Sequence, residues 1–179
     1  MKPCEVFEKV SAHQVEGMML HDQLADGFHF LALPGFAHMH EKQFEEESRE
    51  MRKVKKYFIS RMNVLLGEGR PENPHALPKS WMNYTRQQVT ADSKRKAVRE
   101  LMERWVSWEK ETKKLYSEAW AMLTEAGEIA AACMIKELLR DVDEELSRAE
   151  ELHLRMEAVT YDMATVDQIQ VELEKDLQK

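Results

Sequence analysis

Cysteine, glycine and proline are scarce: two, six and five in 179 residues. Cys4 and Cys133 lie far apart and in no metal-ligand spacing, so no disulfide framework is implied. Few glycines and prolines, beside 43% hydrophobic and 33% charged residues, exclude a β-rich chain of short strands and turns and suit long amphipathic helices. No apolar run approaches the roughly 18 residues of a membrane span. Met1-Lys2-Pro3-Cys4-Glu5 has no signal-like apolar core, and the expectation is a soluble, cytoplasmic protein. Lysine and arginine, 26 against 33 acidic residues, leave a net charge of −7, which argues against a general nucleic-acid binder. Arg52, Lys53, Lys55 and Lys56 read as a solvated helix face. The length suits one substantial core, so a single domain over residues 1–179 is expected.

What is there is helical periodicity. From Glu5 to Leu33, Val6, Phe7, Val10, Met18, Leu24, Ala25, Phe28 and Leu31 recur at steps of three and four, and Leu33-Pro34-Gly35 interrupts the pattern. A second helix begins near Phe36 and carries the line Phe36, His40, Gln43, Glu47, Glu50, Val54, Phe58, Arg61 and Leu65. The middle of that line is polar, which an ordinary bundle core avoids. Gly67 to Ala91, with Pro71, Pro74, Pro78, Trp81 and Tyr84, reads as a long connection crossing the whole bundle. Asp92 is the expected N-cap of a third helix bearing Val98, Leu101, Met102, Trp105, Trp108, Leu115, Ala119, Met122 and Leu123. A short turn near Gly127 leads to a fourth, striped by Ile135, Leu138, Leu139, Val142, Leu146, Ala149 and Leu152. Val166, Ile169, Val171, Leu173 and Leu177 predict a short terminal helix.

Two helical hairpins joined by one long crossover predict an all-α four-helix bundle of ferritin-like topology. Leu33-Pro34-Gly35-Phe36-Ala37 with Gln43-Phe44-Glu45-Glu46-Glu47 resembles the first turn and second helix of ferritins, and Gly69-Arg70-Pro71 resembles the start of their crossover. Trp108-Glu109 and Leu115-Tyr116-Ser117-Glu118-Ala119 are similar to bacterioferritins, and Asp92 to Glu151 resembles the last two helices of Dps-type miniferritins. The resemblance covers most of the chain and implies iron handling and a homo-oligomer.

It also implies a di-iron site: a Glu on the first helix, Glu-x-x-His on the second, Glu on the third, and Glu-x-x-His or a Gln/Glu variant on the fourth. By position, Glu47 matches the second-helix glutamate, Glu50 replaces its histidine, Glu109 matches the third-helix glutamate and Glu145 the second fourth-helix ligand. Val142 occupies the remaining fourth-helix position, with Asp141 beside it and four residues from Glu145. On the first helix Gln14 stands where the glutamate belongs, and Glu16 lies about 200° around the helix. His21, on the inward line, approaches the level of His40 and Gln43 in an antiparallel hairpin. The candidate metal ligands are therefore Glu16, His21, Glu47, Glu50, Glu109, Asp141 and Glu145, with iron or another divalent ion as the metal and no haem assigned.

A glutamate on a helix is ordinarily solvated, and His13, His29, His38, His75 and His153 read as surface or loop residues. Trp105, Trp108 and Trp120, with Met18, Met39, Met51 and Met122, read as core. Three functions stay open: iron oxidation and storage, a non-catalytic ferritin-like module with an internal polar network, or a different di-metal oxygenase.

Overall fold

A computed structural model describes residues 3–62 and 89–177. These form five helices and no strand: α1 (Pro3–Phe30), α2 (Pro34–Met62), α3 (Ala91–Glu125), α4 (Ile129–Glu157) and α5 (Met163–Leu177). None of them is long and apolar enough to cross a membrane. The expectations for Leu65, Pro71, Pro74, His75, Pro78, Trp81 and Tyr84 concern residues outside the described ones.

Both hairpins turn by the same device. After α1 the amide of Leu33 donates to the carbonyl of Phe28 at 2.9 Å and that of Ala32 to His29 at 3.1 Å, with Ala32 left-handed at φ 55°. After α3, Glu128 donates to Leu123 at 2.9 Å and Gly127 to Thr124 at 3.1 Å, with Gly127 at φ 74°. The first helix thus ends at Phe30, short of the expected Leu33, because the left-handed residue breaks the ladder. The N-cap of α3 is Thr90, not Asp92: its hydroxyl accepts from the Ser93 amide at 3.2 Å while Ser93 Oγ accepts from the Thr90 amide at 2.8 Å. Asp92 falls in the first turn.

The buried apolar residues divide into two clusters. One joins Leu20, Leu24 and Phe28 of α1, Phe36 and Met39 of α2, Trp105 and Trp108 of α3, Leu146 of α4, and Val166, Ile169 and Leu173 of α5. The other joins Val6, Phe7 and Val10, Val54, Tyr116 and Leu123, and Ile135, Leu138 and Val142. The order of the clusters along each helix sets direction. α1 and α4 run from the second cluster to the first; α2 and α3 run from the first to the second, parallel to each other. That is the ferritin-like arrangement. α5 packs on α2 and closes the first end, and each of the four long helices passes through a layer between the clusters.

Some side chains depart from expectation. Trp120 and Met122 are exposed, at 39% and 37%, because they lie on the outer side of α3 beside buried Ala119 and Leu123. Met18 and Met51 are half-buried. His13 is half-buried, stacked on Trp108 at 4.0 Å, and His153 hydrogen-bonds the Tyr161 hydroxyl, so neither is a free surface histidine. Cys4 and Cys133 are free thiols.

The α2–α5 contact depends on Gly35. A Cβ at this position would lie 2.2 Å from the carbonyl oxygen of Gln170, which is backbone and cannot rotate away. Gly35→Ala is expected to destabilise the protein by about 1–3 kcal/mol through forced separation of α5 from α2. Urea unfolding of variant and parent measures it; an unchanged midpoint would contradict the contact.

Candidate metal centre

The layer between the two clusters is polar. α1 supplies Gln14, Gly17 and His21; α2 supplies His40, Gln43, Glu47 and Glu50; α3 supplies Glu109 and Thr112; α4 supplies Glu145. Spacings of three and four place each set on one helix face. Gln14, His40 and Thr112 are fully buried, His21 and Glu109 are 1% exposed, Glu47 is also buried, and Glu50 and Glu145 are half-buried.

Glu47 reaches α1 over Gly17. A Cβ on Gly17 would stand 2.9 Å from Glu47 Oε1 and 3.1 Å from Trp108, so a side chain there would displace the carboxylate. Its other oxygen, Oε2, has no hydrogen-bond partner. Glu109 accepts from the Trp105 indole N–H at 2.9 Å and lies 3.8 Å from His21 Nε2. His21 and His40 share one proton between their Nδ1 atoms, 3.1 Å apart. His40 Nε2 makes no regular hydrogen bond, although the Gln43 side chain interacts with the ring, and His21 Nε2 faces Glu109.

Burial governs the electrostatics. Glu109 is pushed up to about 8, chiefly by loss of water, with Glu50 adding and the Trp105 bond opposing. Glu47 and Glu145 are raised well above the ordinary carboxylate value by burial and then by neighbouring glutamates. Glu50 rises to about 7 through burial and then Asp141, against the pull of Lys53. Burial lowers His21 to about 3, and burial and His21 hold His40 well below its ordinary value, so both imidazoles are neutral. Among the described residues no lysine or arginine pairs with Glu47, Glu109 or Glu145.

Glu50 and Glu145 also wall a cleft of about 520 Å³ between α2 and α4, where acidic Glu46, Asp141 and Glu144 and basic Arg49, Lys53 and Arg148 join them. The layer therefore opens to solvent on that side. Asp141 faces this cleft, with its carboxylate 3.4 Å from Arg140, and lies outside the buried layer. Glu16 stands apart: it is half-buried, and its carboxyl is raised by burial and by Glu111 rather than by the glutamates of the layer. Of the first-helix alternatives, Gln14 and His21 are the two that enter the layer.

The donor set, hard carboxylate oxygens with a free lone-pair oxygen on Glu47 and no ammonium or guanidinium paired with Glu47 or Glu109 among the described residues, fits a divalent or trivalent cation chemically. No three of these carboxylates bring their oxygens within 4.8 Å of one another; the one described group that meets this measure is His29, His38 and Glu41, on the surface.

Sequence reasoning missed three residues of the layer's surroundings. Tyr116 is fully buried, its hydroxyl without a normal hydrogen bond, and is pushed up by burial and then by Glu47 and Glu50. Thr112 gives its proton to the Trp108 carbonyl at 2.9 Å and so accepts from His13 Nε2 at 2.7 Å, which fixes the His13 tautomer. Gly17 clears the space for Glu47. The available signal was spacing: Thr112 and Tyr116 follow Glu109 by three and seven residues.

No protein-family model matches the chain, and no curated protein matches it. Solved structures do. An open-pore ferritin from the hyperthermophilic archaeon Archaeoglobus fulgidus superposes with a TM-score of 0.74 at 16% identity, covering 97% of this chain and 96% of that one. An engineered closed form of the same ferritin gives 0.72 at 17% identity, covering 97% and 94%. A humanized archaeal ferritin gives 0.73 at 16%, covering 97% and 95%. The chain has a ferritin-like fold.

The raised carboxyls fix a pH dependence. A carboxyl that titrates near 4.5 when unfolded and higher when folded contributes stability at low pH that is lost as pH rises through its folded value. The lowered histidines act only below about their ordinary 6.5. Between pH 6.5 and 8 the carboxyls act alone, so the metal-free protein is expected to lose stability as pH rises, and Glu109→Gln to flatten that slope. Denaturant titrations across this window test it; a midpoint that climbs with pH would refute the protonated layer.

Proposed function

We propose that this ferritin-like bundle binds iron within its polar layer, as an Fe(II)-oxidising or iron-storing protein of the cytoplasm. The observation that supports the reading is the pair of buried glutamates without basic partners, Glu47 and Glu109, beside the half-buried Glu50 and Glu145 at the cleft. Buried like charges are costly unless protonated or held by a cation. Iron is the cargo, and what it brings is oxidation by dioxygen.

The chain's own groups have defined parts in this reading. The α2–α4 cleft offers the hydrated ion a route past Glu50, Asp141 and Glu145, with Arg49, Lys53 and Arg148 on the same walls. Glu47 and Glu109 then supply the least hydrated carboxylates, where attraction to a cation is strongest. Trp105 holds Glu109 Oε1 in place, and Gly17 leaves Glu47 its position over α1. Since Glu109 is protonated at pH 7, binding releases protons and tightens as pH rises. Gln14 and His21 replace an anionic first-helix ligand with neutral donors, and Glu50 stands where the resemblance implies an imidazole. His21, Glu16 and Asp141 are assigned at most accessory parts. We further propose that residues 1–179 act as one domain in a homo-oligomer, for which exposed Ile129 and Leu154, at 60% and 64%, supply apolar surface.

One observation favours a second reading, a non-catalytic bundle with an internal polar network: among the described residues no three of the layer's carboxylates bring their oxygens within 4.8 Å of one another. The Glu47→Gln/Glu109→Gln double variant decides. If the layer binds iron, it loses tight iron binding and Fe(II)-dependent oxygen consumption, while the metal-free protein is as stable as the parent or more so, because the amides remove the cost of ionising buried carboxyls. Iron stoichiometry and unfolding midpoint are measured on the same samples. Unchanged iron binding, or sharp destabilisation of the metal-free variant, would favour the structural network.

A further inference from the structure

A second constellation lies outside the bundle. The turn at Ala32 holds the last turn of α1 against the first turns of α2. Phe28 points inward and stacks on Phe36 at 5.0 Å and on His40 at 5.4 Å, so His29, one residue on, is carried to the outside. On α2 the same periodicity buries Met39 and His40 and leaves His38 and Glu41, three residues apart, on the outer face. The three side chains meet there. One donor atom from each lies within 4.8 Å of the others, His29 Nε2 is 2.9 Å from Glu41 Oε1, and the His29 and His38 rings are edge-to-face at 5.8 Å.

We propose that His29, His38 and Glu41 form a surface site for one zinc-class divalent ion, Zn²⁺, Ni²⁺, Co²⁺ or Cu²⁺, bridging α1 and α2. Two imidazoles and one carboxylate are the donors such ions prefer, whereas Mg²⁺ and Ca²⁺ favour oxygen alone. The site differs in kind from the internal layer, whose strongest donors are carboxylates. It differs in place too, since His29 follows His21 by eight residues, about 12 Å along the helix. Three protein ligands on an exposed face leave coordination positions open to water or to a group from another molecule, unlike a closed structural zinc site. The ligands come from two helices, so the ion cross-links the hairpin where its turn holds a left-handed alanine.

The test uses the full chain, freed of metal by a chelator, in the Glu47→Gln/Glu109→Gln background that weakens the internal layer. Zinc calorimetry is expected to show one ion per chain. Glu41→Gln and His38→Ala should each weaken it by at least the roughly 10–100-fold that loss of even an outer-shell partner costs. Copper(II) loaded at one equivalent should show paramagnetic-resonance couplings from two nitrogens, reduced to one by His38→Ala. No zinc binding in this background, or affinity unchanged in His29→Ala/His38→Ala, would overturn the site. Should the quadruple variant fold poorly, His29→Ala/His38→Ala in the otherwise unaltered chain must lower zinc stoichiometry by one ion; an unchanged value would overturn it equally. Neither outcome depends on whether the internal layer binds iron.

Discussion

Four carboxyl groups that cannot all be charged together organise the middle of this protein. Glu47 and Glu109 are buried between two apolar clusters, and Glu50 and Glu145 flank them at the mouth of the α2–α4 cleft. In water such groups would repel weakly; at this depth desolvation and mutual repulsion push them toward the protonated form. The neighbouring features relate to that constraint. α1 contributes no charged side chain to the layer itself, only Gln14, Gly17 and a neutral His21. Trp105 gives Glu109 its one strong hydrogen bond, and the cleft gives Glu50 and Glu145 partial access to water.

The apolar clusters on either side make such a layer tolerable. Each is closed by its own hairpin turn, and the first is sealed further by α5 across Gly35. Packing at both ends fixes the register of all four long helices, which keeps the glutamates at one level without ion pairs between them. Surface ion pairs such as Lys110–Glu150 and Lys113–Asp143 join α3 to α4 at 2.9 and 2.7 Å, but in solvent such contacts contribute little to stability. Burying unpaired carboxyls costs stability, and a purely structural layer would more economically be apolar.

The surface group at the α1–α2 turn follows from the same periodicity that fills the core. Phe28 and His40 turn in, and His29, His38 and Glu41 turn out, so one register produces both a stacked aromatic interior and a donor set outside. The histidines illustrate how far residue type alone leads. His38 and His29 are indeed at the surface, while His13 and His153 engage Thr112 and Tyr161, because exposure depends on what the opposite helix presents.

The sequence by itself determined the helices, their pairing into two hairpins and the polar break in the line from His40 to Glu50, because apolar spacing and turn chemistry are local and periodic. It placed Glu47 and Glu109 on inward faces for the same reason. It could not choose among Gln14, Glu16 and His21, since an angle around one helix has meaning only once a neighbour is packed against it. Tertiary structure decided that Gln14 and His21 enter the layer and Glu16 does not, and that Gly17 leaves room for Glu47. It also decided that Asp141 faces a cleft and that His29, His38 and Glu41 meet. Those are relations between residues on different helices, set by the interhelical packing that no single helical period contains.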